Sequence, residues 1–145
     1  MIEGVALTPL KRIQTPNGDV LHALKATEAT YCGFGEAYFS QVKSGVVKGW
    51  KRHNVMTLNI IVPIGKIRFV IYDDREGSAT KGQFESIVLS PDTNYQRLTI
   101  APGLWMAFQG LSEETSLLMD VIPQPHDDAE GDRKGIEEIP FDFTL

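Results

Sequence analysis

The chain has 145 residues, of which 42% are apolar and 23% are charged, and its formal net charge is −5 at pH 7. This length predicts one domain, residues 1–145, that can bury a hydrophobic core. The acidic balance argues against a general nucleic-acid binder, which presents a basic surface, but it allows a locally basic pocket for a small anion. Cys32 is the only cysteine, which excludes an internal disulfide and a cysteine-based metal site.

The chain is rich in short runs with the composition of β-strands. The first run, 5–13, is a mixed apolar segment, and a turn signal at Asn17-Gly18 separates it from the next run. The other runs contain many β-branched and aromatic residues and are bounded by Gly, Pro, Asn or Asp; they are 20–26, 35–42, 46–52, 57–62, 66–73, 83–89, 95–100, 104–109 and 115–122. Many short strands at a spacing of roughly 8–12 residues predict an all-β sandwich or barrel.

The C-terminal tail has a different character. Residues 126–138 are acidic and turn-rich, and they predict either an ordered arm or a mobile loop. Residues 139–143 are more apolar than a free tail needs, so we expect them to pack on the barrel or on a partner subunit. No window of useful length has the apolar period and the caps of a helix.

Targeting signals are not visible in the sequence. The N-terminus has no basic segment followed by a long apolar run, so no secretory signal is predicted. The longest apolar stretch, 60–64, contains Pro63 and is too short to cross a bilayer. We therefore expect a cytoplasmic protein that does not associate with a membrane.

A cluster of cations ends the run at 46–52. Lys51 and His53 lie two residues apart, so an extended strand places both on one face. Lys48 has the opposite parity, and it shares that face only if a bulge intervenes at Gly49 or if one lysine serves the partner subunit's site. His53 is suited to be a base near neutral pH, and Lys51 beside Lys48 and Arg52 could polarise a carbonyl or act as a base. The alternative is a solvated strand end that meets water or phosphate.

Strand 66–73 has two distinct faces. One face carries the apolar residues Ile67, Phe69 and Ile71, and the other carries Arg68 and Tyr72. One interpretation is a half-exposed strand with Arg68 and Tyr72 in water. The other places Arg68 and Tyr72 inside a ligand cavity, where Tyr72 could serve as an acid.

Three segments together resemble the dTDP-4-dehydrorhamnose 3,5-epimerase family, the RmlC-like cupins. The stretch VVKGWK at 46–51 is similar to the family's V-L-R-G-L-H, and IAPGLWMAF at 100–108 is similar to its I-P-P-G-F-A-H-G-F. Between them, GKI at 65–67 and YDDR at 72–75 are similar to a Gly-Glu-Val strand that ends in V-D-L-R. The resemblance covers roughly residues 5–125.

The resemblance implies a double-stranded β-helix jelly roll that forms a homodimer and uses no metal or other cofactor. It implies a dTDP-linked 4-keto-6-deoxy sugar as substrate, from which a His base removes a proton and to which a Tyr acid returns one on the opposite face. Carried over by position, the base falls on Lys51, the Arg that precedes it on Lys48, a second His on Met106 and the Tyr on or near Leu118. The site therefore has non-standard residues.

Two functional hypotheses follow from the residues and the resemblance. The first is an epimerase or isomerase of a nucleotide sugar in surface polysaccharide or deoxysugar synthesis, with His53, Lys51 and Tyr72 as catalytic groups. Its substrate-binding residues would be Lys48, Arg52, Arg68, Arg97 and Trp105, with Arg97 holding a pyrophosphate and Trp105 stacking on a ring. Alternatively, Arg97 is a strand-edge arginine in water and Trp105 belongs to the core. The second hypothesis is a non-catalytic cupin that binds a sugar nucleotide.

Overall fold

The computed structural model describes residues 1–145 and contains twelve β-strands and two short 3-10 helices, Asp128–Glu130 and Ile136–Glu138. The strands are β1 (Val5–Pro9), β2 (Arg12–Ile13), β3 (Val20–Leu21), β4 (Glu36–Val42), β5 (Val47–His53), β6 (Leu58–Ile64), β7 (Ile67–Tyr72), β8 (Phe84–Leu89), β9 (Gln96–Ile100), β10 (Trp105–Gly110), β11 (Ser116–Ile122) and β12 (Gly131–Arg133). Every strand except β12 lies within or overlaps a run predicted from the sequence. No helix has the length and apolar character of a membrane-spanning segment.

Two five-stranded antiparallel sheets face each other. The first sheet has the order β1-β9-β6-β11-β4, and the second has the order β12-β5-β10-β7-β8. From β4 to β7 each strand lies in the opposite sheet from the one before it, and β9, β10 and β11 alternate in the same way. This arrangement is a jelly roll, and it confirms the predicted all-β fold.

The main core lies between the two sheets. Strand β7 contributes Ile67, Phe69 and Ile71, which are fully buried there, as period-2 alternation predicts. Strand β6 contributes Leu58, Ile60 and Val62 from the facing sheet. Burial of each large aliphatic side chain contributes roughly 1.5–3 kcal/mol, so this layer is the main source of cohesion between the sheets.

A second apolar cluster covers the outer face of the second sheet. Trp50, Trp105 and Ile139 are buried there, and the partly buried Phe141 and Phe143 pack against them. Main-chain hydrogen bonds between Trp50 and Lys134 attach the tail to β5. Of the two positions expected for residues 139–143, on the barrel or on a partner subunit, the structure shows the first.

A bulge in β5 shapes the site. Met106 lies opposite Lys51 and Phe108 lies opposite Lys48, so Ala107 alone faces the two residues between them. A side chain at Gly49 would clash with Ala107, which is why the bulge requires glycine there. The extra residue changes the parity of the strand and lets Lys48 and Lys51 line one cavity.

Candidate functional site

A cavity of about 220 Å³ opens between the two sheets. Both sheets contribute apolar side chains to its lining, among them Leu58, Ile60, Met106, Phe108 and Leu118. Two of these, Met106 and Leu118, occupy the positions at which the resemblance placed a His and a Tyr. No group of three or more His, Cys, Asp or Glu side chains is arranged to hold a metal ion.

His53, at the end of β5, lines this cavity and is held by a carboxylate from the tail. Its Nδ1 lies 2.6 Å from Oε1 of Glu130, whose Oε2 accepts hydrogen bonds from the backbone N–H groups of Val55 and Met56. Burial raises the pKa of Glu130, but the hydrogen bonds from Val55, His53 and Met56 outweigh this and lower it overall. Because an ionised carboxylate only accepts, Nδ1 carries the proton and Nε2 is left as the proton acceptor. Burial lowers the pKa of His53 despite Glu130, which favours the neutral ring at pH 7.

Lys51 lies on the same face of β5 as His53. Its Nζ makes no hydrogen bond and no ion pair, although the side chain is only partly exposed. Burial lowers the pKa of Lys51, and the positive charge of Arg133 lowers it further, while the negative charge of Asp120 opposes the change. An amine in this setting can approach a ligand without first losing a partner.

Lys48 lies at the mouth of the cavity. Its Nζ donates hydrogen bonds to Ser40 Oγ at 3.3 Å and to the Gln41 carbonyl at 3.0 Å, and it lies 5.5 Å from the centre of the Phe108 ring. The side chain is exposed, so the charge remains available to a ligand. Of the eight residues predicted for the site, the structure brings together Lys48, Lys51 and His53.

Asp120 and Tyr38 line the cavity but were missed from the sequence. The Tyr38 hydroxyl donates to Asp120 Oδ2 at 3.1 Å, and Asp120 Oδ1 is buried without a partner. Burial raises the pKa of Asp120 to about 7, against the opposing effect of the Tyr38 hydrogen bond. Burial and the negative charge of Asp120 also raise the pKa of Tyr38. Asp120 has the parity of Leu118, the predicted site position two residues earlier, so alternation could have found it.

Arg133 also lines the cavity and was not predicted. It lies on β12, opposite Lys51 on β5, in a segment whose sequence predicts a tail and not a strand. The mouth therefore carries three cations, Lys48, Lys51 and Arg133, on a protein with a net charge of −5. Such a cluster is suited to an anionic ligand.

The structure places Arg68 and Tyr72 outside the cavity, which corrects their predicted orientation. Strand β7 turns its apolar face to the core, so its polar face lies outward beneath the C-terminal tail. Tyr72 stacks on Phe84 with ring centres 4.5 Å apart, and the Arg68 guanidinium lies 5.9 Å from the centre of the Phe141 ring. The predicted alternation was right, and of the two interpretations of this strand the one that places Arg68 and Tyr72 in the ligand cavity is wrong.

Arg52 and Trp105 lie together on this outer face as well, not in the cavity. The Arg52 guanidinium lies 4.5 Å from the centre of the Trp105 ring and forms an ion pair with Asp132 at 2.7 Å. Trp105 is buried and donates its indole N–H to Asp74 at 3.0 Å. Because Lys51 and His53 point inward, alternation directs Arg52 outward.

Arg97 is fully buried in a polar network and does not reach the cavity. Its guanidinium donates hydrogen bonds at 2.7–3.2 Å to four acceptors: Asn59 Oδ1, the Ala23 carbonyl, Glu28 Oε2 and Thr30 Oγ1. These contacts hold the 23–30 loop against β9. A buried charge needs such partners, and these partners occupy the donors that a pyrophosphate would require.

The jelly roll, with a cavity between its sheets and a close structural match to a dTDP sugar isomerase, defines the chain as an RmlC-like cupin. The family model described as dTDP-4-dehydrorhamnose 3,5-epimerase matches residues 1–134. The chain therefore belongs to the dTDP-4-dehydrorhamnose 3,5-epimerase family.

Relatives of known name agree with this membership. The chain is 34% identical over 107 residues to the probable low-salt glycan biosynthesis epimerase Agl13 of Haloferax volcanii, covering 73% of this chain and 66% of that protein. It thus spans just under two thirds of the archaeal relative. It is 27% identical over 142 residues to the spore coat polysaccharide biosynthesis protein SpsL of Bacillus subtilis, covering 98% of this chain and 91% of that protein.

A solved structure is similar over nearly the whole chain. The dTDP sugar isomerase from Desulfovibrio desulfuricans G20 has a TM-score of 0.93 and 37% identity, covering 97% of this chain and 91% of that chain. The dTDP-4-dehydrorhamnose 3,5-epimerase from Sulfolobus tokodaii has a TM-score of 0.84 and 25% identity, covering 96% of this chain and 81% of that chain.

Proposed function

We propose that this protein is an epimerase or isomerase of a dTDP-linked, or related, 4-keto-6-deoxy sugar that serves surface polysaccharide or deoxysugar synthesis. The observation that carries the proposal is the cavity, which combines a neutral histidine held by a carboxylate with an unpaired lysine. Membership of the epimerase family and the names of the relatives support the substrate class.

The chemistry begins with the carbonyl at C4, which acidifies the adjacent C–H bonds. His53 Nε2 removes one of these protons, and Glu130 holds the ring in the tautomer that leaves Nε2 free. The Lys51 ammonium group stabilises the negative charge that develops on the carbonyl oxygen. The apolar side chains that line the cavity limit water, which strengthens both interactions. Tyr72 lies outside the cavity and takes no part in this step.

The cations at the mouth account for binding. The cavity accommodates a sugar ring, and the diphosphate then lies at the opening beside Lys48 and Arg133. The nucleoside lies outside the cavity, on the rim. This arrangement separates the groups that hold the substrate from those that transfer protons.

Lys48→Ala and Lys51→Ala are each expected to weaken dTDP-sugar binding about tenfold, the loss of one charge-assisted contact. Isothermal titration calorimetry measures the affinity. Lys43→Ala removes an exposed lysine outside the cavity and serves as the matched control, with wild-type affinity expected. An unchanged affinity for either cavity variant removes that lysine from the binding site.

Hydrogen exchange tests the proposed activity. Incubation of the protein with dTDP-4-keto-6-deoxyglucose in D₂O should introduce deuterium at C3 or C5, which NMR detects against a protein-free control. The alternative, a non-catalytic sugar-nucleotide-binding cupin, predicts binding without exchange. Thermal shift with dTDP, UDP, GDP and CDP at equal concentrations then identifies the preferred base, since stabilisation rises with the logarithm of the affinity.

The protein is also proposed to be a homodimer. Strand β4 is an edge of the first sheet, and Phe39 on its outer face is 65% exposed, as is Phe34 just before the strand. An unpaired edge beside exposed aromatic side chains favours association with a second copy. Sedimentation equilibrium should give twice the mass of one chain, and Phe39→Asp should give the monomer. A wild-type monomer at micromolar concentration contradicts the dimer.

A further inference from the structure

Two groups in the cavity have no role in the chemistry described above. Asp120 on β11 and Tyr38 on β4 belong to the first sheet, whereas His53 and Lys51 belong to β5 of the second sheet. Because the cavity lies between the sheets, these two pairs lie on opposite walls. A sugar ring in the cavity has one face toward each pair.

Inversion at a carbon needs proton transfer on both faces of the ring. A base removes the proton from one face, and an acid must deliver a proton to the other face before the first returns. Met106 and Leu118, at the positions where the resemblance places a His and a Tyr, cannot transfer protons. The wall opposite His53 therefore needs another donor.

We propose that Asp120 is the general acid of this site and delivers a proton to the sugar face opposite His53, with Tyr38 as its positioning residue. The inference rests on the proposed epimerase function and deepens it. Asp120 is 4% exposed, and its Oδ2 is fixed by the Tyr38 hydroxyl at 3.1 Å. Oδ1 is the one buried side-chain polar atom without a hydrogen-bond partner. An unpartnered carboxyl oxygen in this position is costly when the group is ionised, which favours the protonated form that an acid needs.

The surroundings of Asp120 keep it partly protonated at neutral pH. The groups that face it are Tyr38 from β4, Lys51 from β5 and the main chain of Asn59 from β6, and all three favour the charged form. Burial outweighs them and raises the pKa of Asp120 to about 7, whereas an exposed aspartate is ionised at this pH. His53, with its lowered pKa, is neutral under the same conditions.

The step balances without a further reactant. The C–H bond beside the carbonyl breaks, its proton goes to His53 Nε2, and its electron pair forms the enolate beside Lys51. A new C–H bond then forms at the same carbon with the proton from Asp120, and the carbonyl is restored. This leaves Asp120 ionised and His53 protonated, and proton exchange with solvent returns both groups to their starting states.

The test is the ratio of inversion to exchange in Asp120→Asn, measured with dTDP-4-keto-6-deoxyglucose in D₂O. The amide keeps the shape of the side chain but cannot donate a proton as an acid, so inversion should fall about 100-fold or more. Exchange should persist within a few-fold, because His53 still removes the proton and returns deuterium to the same face. Glu114→Gln, an exposed carboxylate just before β11, is the matched control and should keep both rates.

Each outcome decides the inference. If Asp120→Asn inverts the sugar at the wild-type rate, Asp120 is not the general acid, and the proposed function stands. If a folded Asp120→Asn loses exchange and inversion equally, Asp120 is likewise not the general acid. A wild type that neither exchanges nor inverts overturns the proposed function and this inference with it. If Asp120→Asn does not fold, Tyr38→Phe decides, since freeing Oδ2 should lower the inversion-to-exchange ratio and an unchanged ratio contradicts the assignment.

Discussion

His53→Gln should reduce proton exchange in the keto-sugar by about 100-fold to 10,000-fold, the usual contribution of a positioned general base. Gln keeps a polar side chain of similar size but cannot accept a proton at neutral pH. The affinity for the nucleotide sugar should change little, because the cations that bind the diphosphate are untouched. Exchange rates from NMR and affinities from calorimetry separate the two effects.

Two further variants test whether the loss of exchange is specific to His53 and its partner Glu130. Glu130→Gln replaces the carboxylate with a neutral amide that can accept from or donate to Nδ1, so the tautomer is no longer fixed; exchange should fall by a smaller factor, about tenfold, and its pH dependence should change. His126→Gln removes an exposed histidine that is paired with Asp128 and should leave the rate unchanged. Exchange by His53→Gln at the wild-type rate would exclude His53 as the base.

Asp120→Asn should make the protein more stable than wild type at pH 8. The pKa of Asp120 is about 7 in the fold, against an ordinary value of 3.8. The fold therefore favours the protonated carboxyl group. Wild type has the full stability contribution of this group in acid and loses it as the pH rises through 7. At about 1.4 kcal/mol for each pKa unit, ionisation of this buried group costs about 4 kcal/mol at alkaline pH. That is a large share of the roughly 5–15 kcal/mol by which domains are stable.

Urea denaturation at pH 5 and pH 8 measures this effect as the difference between variant and wild type. The comparison with wild type is needed because His53 also affects the pH dependence. Its pKa is lowered in the fold, so its effect on the free energy of unfolding has the opposite sign: stability falls as the pH falls. Glu114→Gln provides the control for loss of an exposed carboxylate. If the difference in free energy of unfolding between Asp120→Asn and wild type is the same at pH 5 and pH 8, burial does not hold Asp120 protonated.

The strands were predictable from the sequence because each is short, apolar on at least one face and bounded by turn residues. Strand alternation placed Lys51 and His53 together. For Lys48 the sequence left two possibilities, a bulge at Gly49 or a role in the partner subunit's site, and the structure has the bulge. Strand β12 was not predictable, since Gly131–Arg133 pairs with β5 through its main chain and carries no apolar pattern.

The errors at Arg52, Arg68, Tyr72 and Trp105 have one physical origin. Alternation separates two faces of a strand but does not say which face lines the cavity when the other is also covered, as it is here by the C-terminal tail. Arg68, Tyr72 and Trp105 lie on that covered outer face. Asp120 was missed because its neighbours in β11, from Leu117 to Ile122, are apolar, and the sequence does not reveal the Tyr38 hydroxyl that pairs with it.

A crystal structure with an unreactive dTDP-linked sugar provides the most direct test of the proton-transfer site. The sugar ring should lie between the two sheets, with C3 or C5 about 3–3.5 Å from His53 Nε2 and its opposite face toward Asp120. The diphosphate should lie beside Lys48 and Arg133. A sugar bound outside the cavity, or one that is distant from both His53 and Asp120, would contradict the proposed site and its chemistry.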